Sequence, residues 1–235
     1  MNVVFGVYYN DGKDLQRNVI IDPNNYEYIK NWSESAKNLN MKCILLTDGS
    51  CSEDFINQYS NNNLEIKKVT KKYKGCLNDI KFLDIMDCLC DKYENIFITD
   101  VSDVHFLKNP FDLIKENKLY IGCEQKNNRE IYKCKEIAWA RATYGAKMPT
   151  FPFWDENFLN CGIIGGSSKV INLFLDSYKK IFYSREWPAN FPNDMIISTL
   201  VAYTHFQDQI VTGLPLHTIF KKYENNHSEA YIVHK

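Results

Sequence analysis

At 235 residues, with 45% apolar and 14% aromatic residues, the chain is long enough to bury a sizeable core and too apolar to be disordered. Its formal net charge is −1 and its lysines are interspersed with Asp and Glu, so no basic stripe marks a nucleic-acid groove. The opening MNVVFGVYYNDG lacks a basic n-region and a small-residue cleavage site, and no run nears the roughly 20 apolar residues that span a bilayer; a cytoplasmic protein with no integral membrane segment is expected.

In chain order, VVFGVYY (3–9) reads as a strand and NYEYIKNWSESAKNLN (25–40) as a helix. KCILLTD (42–48) and LEIKKVT (64–70) read as strands. NDIKFLDIMDCLCDKY (78–93) has helical spacing, with Ile80, Leu83, Ile85, Met86 and Leu89 on one face. NIFITD (95–100) and KLYIGCE (118–124) are again strands. After residue 125 the character changes. KEIAWARATYGAKMPTFPFWDENF (135–158) is rich in aromatics, Gly and Pro, and residues 158–182 read as strand, Gly-Gly turn and helix with a Ser-Ser start. NDMIISTLVAYTH (193–205) is a helix begun by an Asn-Asp cap.

Alternating strands and helices predict an α/β domain, a single Rossmann-like mixed and mostly parallel sheet flanked by helices. No repeat or linker divides it, so residues 1–235 are expected to form one domain, with a nucleotide-facing half (1–125) and a substrate-facing half (126–235). Ligands of such sheets gather outside the carboxyl ends of the strands. Asp48, Asp100 and the Tyr8-Tyr9 pair sit at such ends. The eight cysteines include one close pair, Cys88-Leu-Cys90, and no Cys-x-x-Cys, so free buried thiols are expected. The sequons at Asn31 and Asn226 are short enough to arise by chance.

The segment ITDVSDVHFLKNPF (98–111) places Asp100 at a strand end, and the turn through Val101 and Ser102 lets Asp103 fold back beside it. Two such carboxylates supply hard oxygen ligands suited to Mg²⁺ or Mn²⁺, and without a cation they would repel each other. Taken alone, the same pattern is a strand end followed by a helix-capping Asp.

TDVSDVHFLKNPF resembles the metal-binding DXD region of GT-A fold glycosyltransferases, in the form that continues into Asn-Pro-Phe. Three further segments are similar to that family in the same order: NDIKFLDIM to the helix before the motif, LNCGIIGGSSKVINLFLDSY to the strand and helix lining the donor sugar, and PLHTIFKKYENNHSEAYIVHK to the closing segment. The resemblance implies the GT-A (nucleotide-diphospho-sugar transferase) fold and a metal-dependent glycosyltransferase. The sugar would move from a nucleoside diphosphate sugar, a UDP-sugar first, to a hydroxyl of a glycan acceptor. It further implies that Asp100, Asp103 and His234 hold Mn²⁺ or Mg²⁺ and that Lys81 and Lys235 add charge at the diphosphate. Tyr8 and Asp48 would receive the base and ribose, and Asn160, Gly162, Gly165 and Gly166 would form the sugar pocket.

The chain departs from the family's commonest pattern in carrying Ser102 where D-x-D has its second Asp, which leaves open which carboxylate touches the cation. His234 lies one residue from the end of the sequence: either the domain ends at its ligand or the chain is the first part of a longer protein. For the catalytic base, Asp194 matches a family position facing the acceptor, and it is equally placed to cap its helix; Asp155 and Glu156 are the other candidates. Inverting transfer needs such a base and retaining transfer does not. Trp139, Trp154 and Trp187 read as core or lid aromatics as readily as sugar platforms.

Two other functions are compatible with parts of the pattern. A nucleotidyltransferase that makes sugar nucleotides shares the layout and the metal, but GVYYNDGKDLQ lacks its Gly-rich phosphate loop. A non-catalytic carbohydrate-binding module would need the aromatics and not the metal residues.

Overall fold

A computed structural model of the protein describes residues 1–10, 13–14, 19–70, 72–89, 91–128, 130, 153–184, 192–218 and 229–234. A seven-stranded sheet forms the centre. It is built from β1 (Asn2–Tyr8), β4 (Cys43–Thr47), β5 (Leu64–Lys68), β6 (Asn95–Thr99), β8 (Leu119–Asn127), β9 (Asn157–Ser167) and β10 (Ile210–Val211), in the order β10-β8-β9-β6-β1-β4-β5. The ladders β6-β1-β4-β5 and β10-β8 are parallel, whereas β9 runs antiparallel to both β6 and β8. The expected mostly parallel mixed sheet is therefore present.

Two smaller sheets complete the strands. β2 (Lys13–Asp14) and β3 (Val19–Ile20) pair antiparallel. β7 (Val104–Phe106), β11 (Leu216–His217) and β12 (Ile232–His234) form a three-stranded sheet in the order β11-β12-β7.

Helices cover both faces. One face packs Phe5, Ile96 and Ile98 against α3 (Leu77–Cys88), α4 (Ser168–Tyr183) and α5 (Asp194–His205), through Phe82, Phe174, Tyr178 and Ile197. The other packs Val4, Leu45 and Phe97 against α1 (Lys30–Asn38) and α2 (Glu53–Tyr59), through Trp32 and Phe55. The alternation of β1, with Val3 and Phe5 on one side and Val4 and Tyr8 on the other, follows from the two-residue period of a strand. Trp32 is fully enclosed, and its indole N–H is satisfied by Thr99 Oγ1 at 2.8 Å.

Helix ends follow local chemistry. Ser167 caps α4 by accepting from Val170 N, and Ser52 caps α2 by accepting from Phe55 N. α3 packs beside α4 on the same face of the sheet, and its residues 79–85 are all buried, Asp79, Lys81 and Asp84 included. Burying three charged side chains in succession requires each to meet a partner. Among the described residues no helix is long and apolar enough to cross a membrane.

Candidate metal centre

The chain leaves the central β1 towards β4 and β5 on one side and returns to β6 on the other, so the carboxyl ends of β1 and β6 flank the point where strand order reverses. Asp100 follows β6 there, and its backbone N–H donates to Gly162 O at 2.9 Å. Val101 is buried and reaches over Gly6, which anchors the turn and swings Asp103 back towards Asp100. β7 begins at Val104, and its antiparallel ladder with β12 places His234 opposite Val104. His234 Nε2 then lies 3.5 Å from Asp100 Oδ2 and 3.6 Å from Asp103 Oδ1.

Those spacings lie at the upper edge of what a small divalent ion bridges. Two ligand atoms each about 2.1 Å from an ion, at angles of about 90–110°, stand roughly 3.0–3.5 Å apart. One ligand atom from each of Asp100, Asp103 and His234 lies within 4.8 Å of the other two. The imidazole reaches this position because residue 162 is a glycine: a Cβ there would sit 2.1 Å from His234 Cε1. Two carboxylates and one imidazole form a mixed donor set, hard oxygens with a borderline nitrogen, which suits Mn²⁺ better than Mg²⁺.

Lys81 meets this cluster from below. Its ammonium donates to Asp100 Oδ1 at 2.8 Å and stands 3.7 Å from Asp194 Oδ2. Burial pulls its pKa down, but the charges of Asp100 and Asp194 outweigh that and hold it above the ordinary lysine value, so it is cationic. Asp194 opens α5 and is buried, and its Oδ2 accepts from the Cys161 thiol at 3.1 Å. Burial pushes that thiol well up, so it remains a protonated donor. Behind Asp194, Asp79 accepts from Asn193 N at 2.6 Å and Asn193 Nδ2 at 2.8 Å. This joins the first turns of α3 and α5. The expected Asn-Asp cap takes this form: Asn193 occupies the N-cap position without a side-chain cap bond, and its amide is given to Asp79. Burial, and then the charge of Asp194, raise Asp79 to about 7.

The other sequence-predicted residues divide. Asn160 lies on the same edge, with Nδ2 donating to Glu124 Oε1 and Oδ1 accepting from Gly162 N, each at 2.8 Å. Gly162 touches the centre through His234. Gly165 and Gly166 do not: they pair with Phe97 and Ile96, towards the opposite end of β6. Their missing side chains make room for the Phe97 ring and for Val170 and the Lys118 carbonyl, so close packing inside the fold accounts for both glycines.

Tyr8 is 1% exposed, its hydroxyl donates to Asp22 O at 2.6 Å, and its ring stacks on Tyr28 at 5.1 Å. A base would find no open face on it. Asp48 is 2% exposed: Oδ2 accepts from Asn10 N at 2.7 Å and Oδ1 from the backbone and hydroxyl of Ser50. Both residues are built into the edge and do not line its surface. Asp155 and Glu156 are exposed just before β9, beyond the carboxyl end of β6. Lys235, Trp139 and Trp187 lie outside the described residues.

Three residues that sequence reasoning passed over belong to this region: Asp79 and Cys161, which hold Asp194, and Asn10. Asn10 is 6% exposed, and neither its Oδ1 nor its Nδ2 is hydrogen-bonded among the described residues. Its place just after β1 is the same signal that singled out Asp48 and Asp100. The sequence matches no protein-family profile, and no curated protein matches it significantly.

Proposed function

We propose that the protein is a cation-dependent glycosyltransferase that takes a sugar from a nucleoside diphosphate sugar, a UDP-sugar first, and transfers it to a hydroxyl of a glycan acceptor on a GT-A fold. The observation that carries this reading is the convergence of Asp100, Asp103 and His234, from segments far apart in sequence, at the ligand edge of an α/β sheet. Asp100, Asp103 and His234 would hold Mn²⁺ or Mg²⁺, which supplies charge neutralisation for a departing nucleoside diphosphate. Lys81 donates to Asp100 Oδ1, which leaves Oδ2 turned towards that ligand set. Asn160, fixed through both ends of its amide, offers a rigid wall beside the centre. Asp155 and Glu156 are exposed at the surface and are the candidates to meet an acceptor hydroxyl, whereas Asp194 is buried against Cys161 and Lys81 and acts through its charge and position. The six described cysteines are all unpaired, which suits a reducing, cytoplasmic setting.

Calorimetry with a panel of UDP- and GDP-sugars, with Mn²⁺ and with EDTA, tests this reading. Binding is expected with Mn²⁺, lost in EDTA and lost in Asp103→Ala. Affinity for a sugar nucleotide that survives EDTA would refute the role of the cation, and a panel without any ligand would refute the donor class.

A further inference from the structure

Lys81 stands between two carboxylates that serve different parts of the edge. Its ammonium is 2.8 Å from Asp100 Oδ1 and 3.7 Å from Asp194 Oδ2, and its side chain is 10% exposed. The Phe82 ring lies 5.0 Å from the ammonium on another side. Asp100 is thus divided, with one oxygen towards Lys81 and the other towards His234 and the cation position. A dication on Oδ2 and an ammonium on Oδ1 would share one carboxylate and repel each other across a few ångströms of protein. The ammonium is enclosed and cannot retreat into water. Among the described residues, Asp194 is the other carboxylate with which it forms an ion pair. A lysine ammonium on a flexible stem can make that short move, because it donates in three directions. Asp194 itself is fixed, by the Cys161 thiol and by the Asp79 clasp on the preceding Asn193.

We propose that Lys81 is a two-position counter-charge, bonded to Asp100 while the cation site is vacant and drawn to Asp194 when a divalent cation takes Asp100. Asp194 then sets how tightly the cation is held, and by reciprocity cation occupancy changes the electrostatic setting of Asp194 on the acceptor side. The proposal rests on the cation site proposed above, and it makes Asp194 and Lys81 positioning residues for that site.

Binding of Mn²⁺ alone, measured by calorimetry on the full chain without nucleotide, separates the possibilities. Asp194→Asn removes the second position, leaves the ammonium on Asp100, and should weaken Mn²⁺ binding within the usual range of coupling between sites, about 5- to 150-fold. The double variant Lys81→Met/Asp194→Asn removes the competing ammonium together with its partner and should restore wild-type affinity or exceed it. Opposite signs in the single and double variants do not arise from general loosening. Asp194→Asn within twofold of wild type, or a double variant as weak as the single one, would overturn the coupling while leaving the cation site intact. If Asp194→Asn does not fold, the double variant decides against wild type, and weaker Mn²⁺ binding there overturns the proposal. A wild-type chain that binds no Mn²⁺ would remove the cation site itself.

Discussion

Two corners of the same sheet edge have opposite fates. At the ends of β1 and β4, Tyr8 and Asp48 are enclosed and bonded to neighbouring backbone, with exposures of 1% and 2%. At the end of β6, the Asp100 and Asp103 side chains are 37% and 24% exposed and face a histidine brought in from a distant strand. Both corners obey the rule that polar residues gather where parallel strands end. What separates them is how deeply the adjoining turn encloses the carboxylate. Ser50 bonds Asp48 inside the fold, whereas Ser102 Oγ bonds Asp103 Oδ1 at 3.2 Å over a buried Val101, with Asp100 and Asp103 still at the rim. A strand end is a place where chemistry can occur, and the following turn decides how far the group is exposed.

Glycine-to-alanine substitutions in the two corners should differ the most. In Gly162→Ala the new Cβ collides with the His234 ring, so Mn²⁺ affinity should fall about 10- to 100-fold, as when a metal ligand loses its support. Gly49→Ala meets nothing within 4 Å and should leave Mn²⁺ binding and stability unchanged. Calorimetry on the two variants checks this. Equal Mn²⁺ affinities would mean that His234 does not ligate from the position it occupies.

Stability should rank the corners the other way. Asp48→Ala leaves Asn10 N–H and the Ser50 backbone and hydroxyl without their acceptor, at a cost of about 1–3 kcal/mol. Asp103→Ala, at the half-buried rim, should change the melting temperature little in metal-free buffer. Chemical denaturation of the pair measures the difference, and a larger loss for Asp103→Ala would make the rim carboxylate structural.

A smaller effect should appear as a slope against pH. Asp79 keeps its proton up to about 7 in the fold, against an ordinary value of 3.8, because burial and the Asp194 charge disfavour its ionised form. The folded state therefore binds more protons than the unfolded chain between about pH 4 and 7. Stability from this group is full below that window, falls as the pH rises through it, and levels off above. Asp79→Asn should flatten the fall measured by denaturant unfolding at several pH values, and an unchanged slope would assign it to other groups.

Much of the fold was legible because long periodic segments carry their own signal. β1, β4, β5, β6 and β8 begin within one residue of where the pattern puts them, and Ser167 caps α4. The expected helix at 25–40 begins instead with a single 3-10 turn at Tyr26–Tyr28 before α1, and α3 stops at Cys88, where Leu89 turns extended. α2 was missed because seven residues hold too little periodicity, and β7, β11 and β12 because strands of two or three residues hold none. At the site, spacing correctly pairs Asp100 with Asp103. Spacing cannot tell that Tyr8 shares the inward face of Val4 and is closed over by Tyr28, nor that the Gly165 gap is filled by Phe97. Position along a strand is written locally, and coverage is a property of what folds onto it from elsewhere.

The ladder between β7 and β12 joins residues separated by more than half the chain. Closing so long a loop has a large entropic cost, but that cost grows only with the logarithm of loop length, about 0.6 kcal/mol for each doubling. Segments inserted into loops between Asp103 and His234 are therefore nearly neutral for the proximity of these three side chains, provided the three-residue ladder keeps its register. The loops of the second half can lengthen and diversify while the geometry around Asp100 stays fixed, so the surroundings of the edge are in this sense free to change without rebuilding its charge.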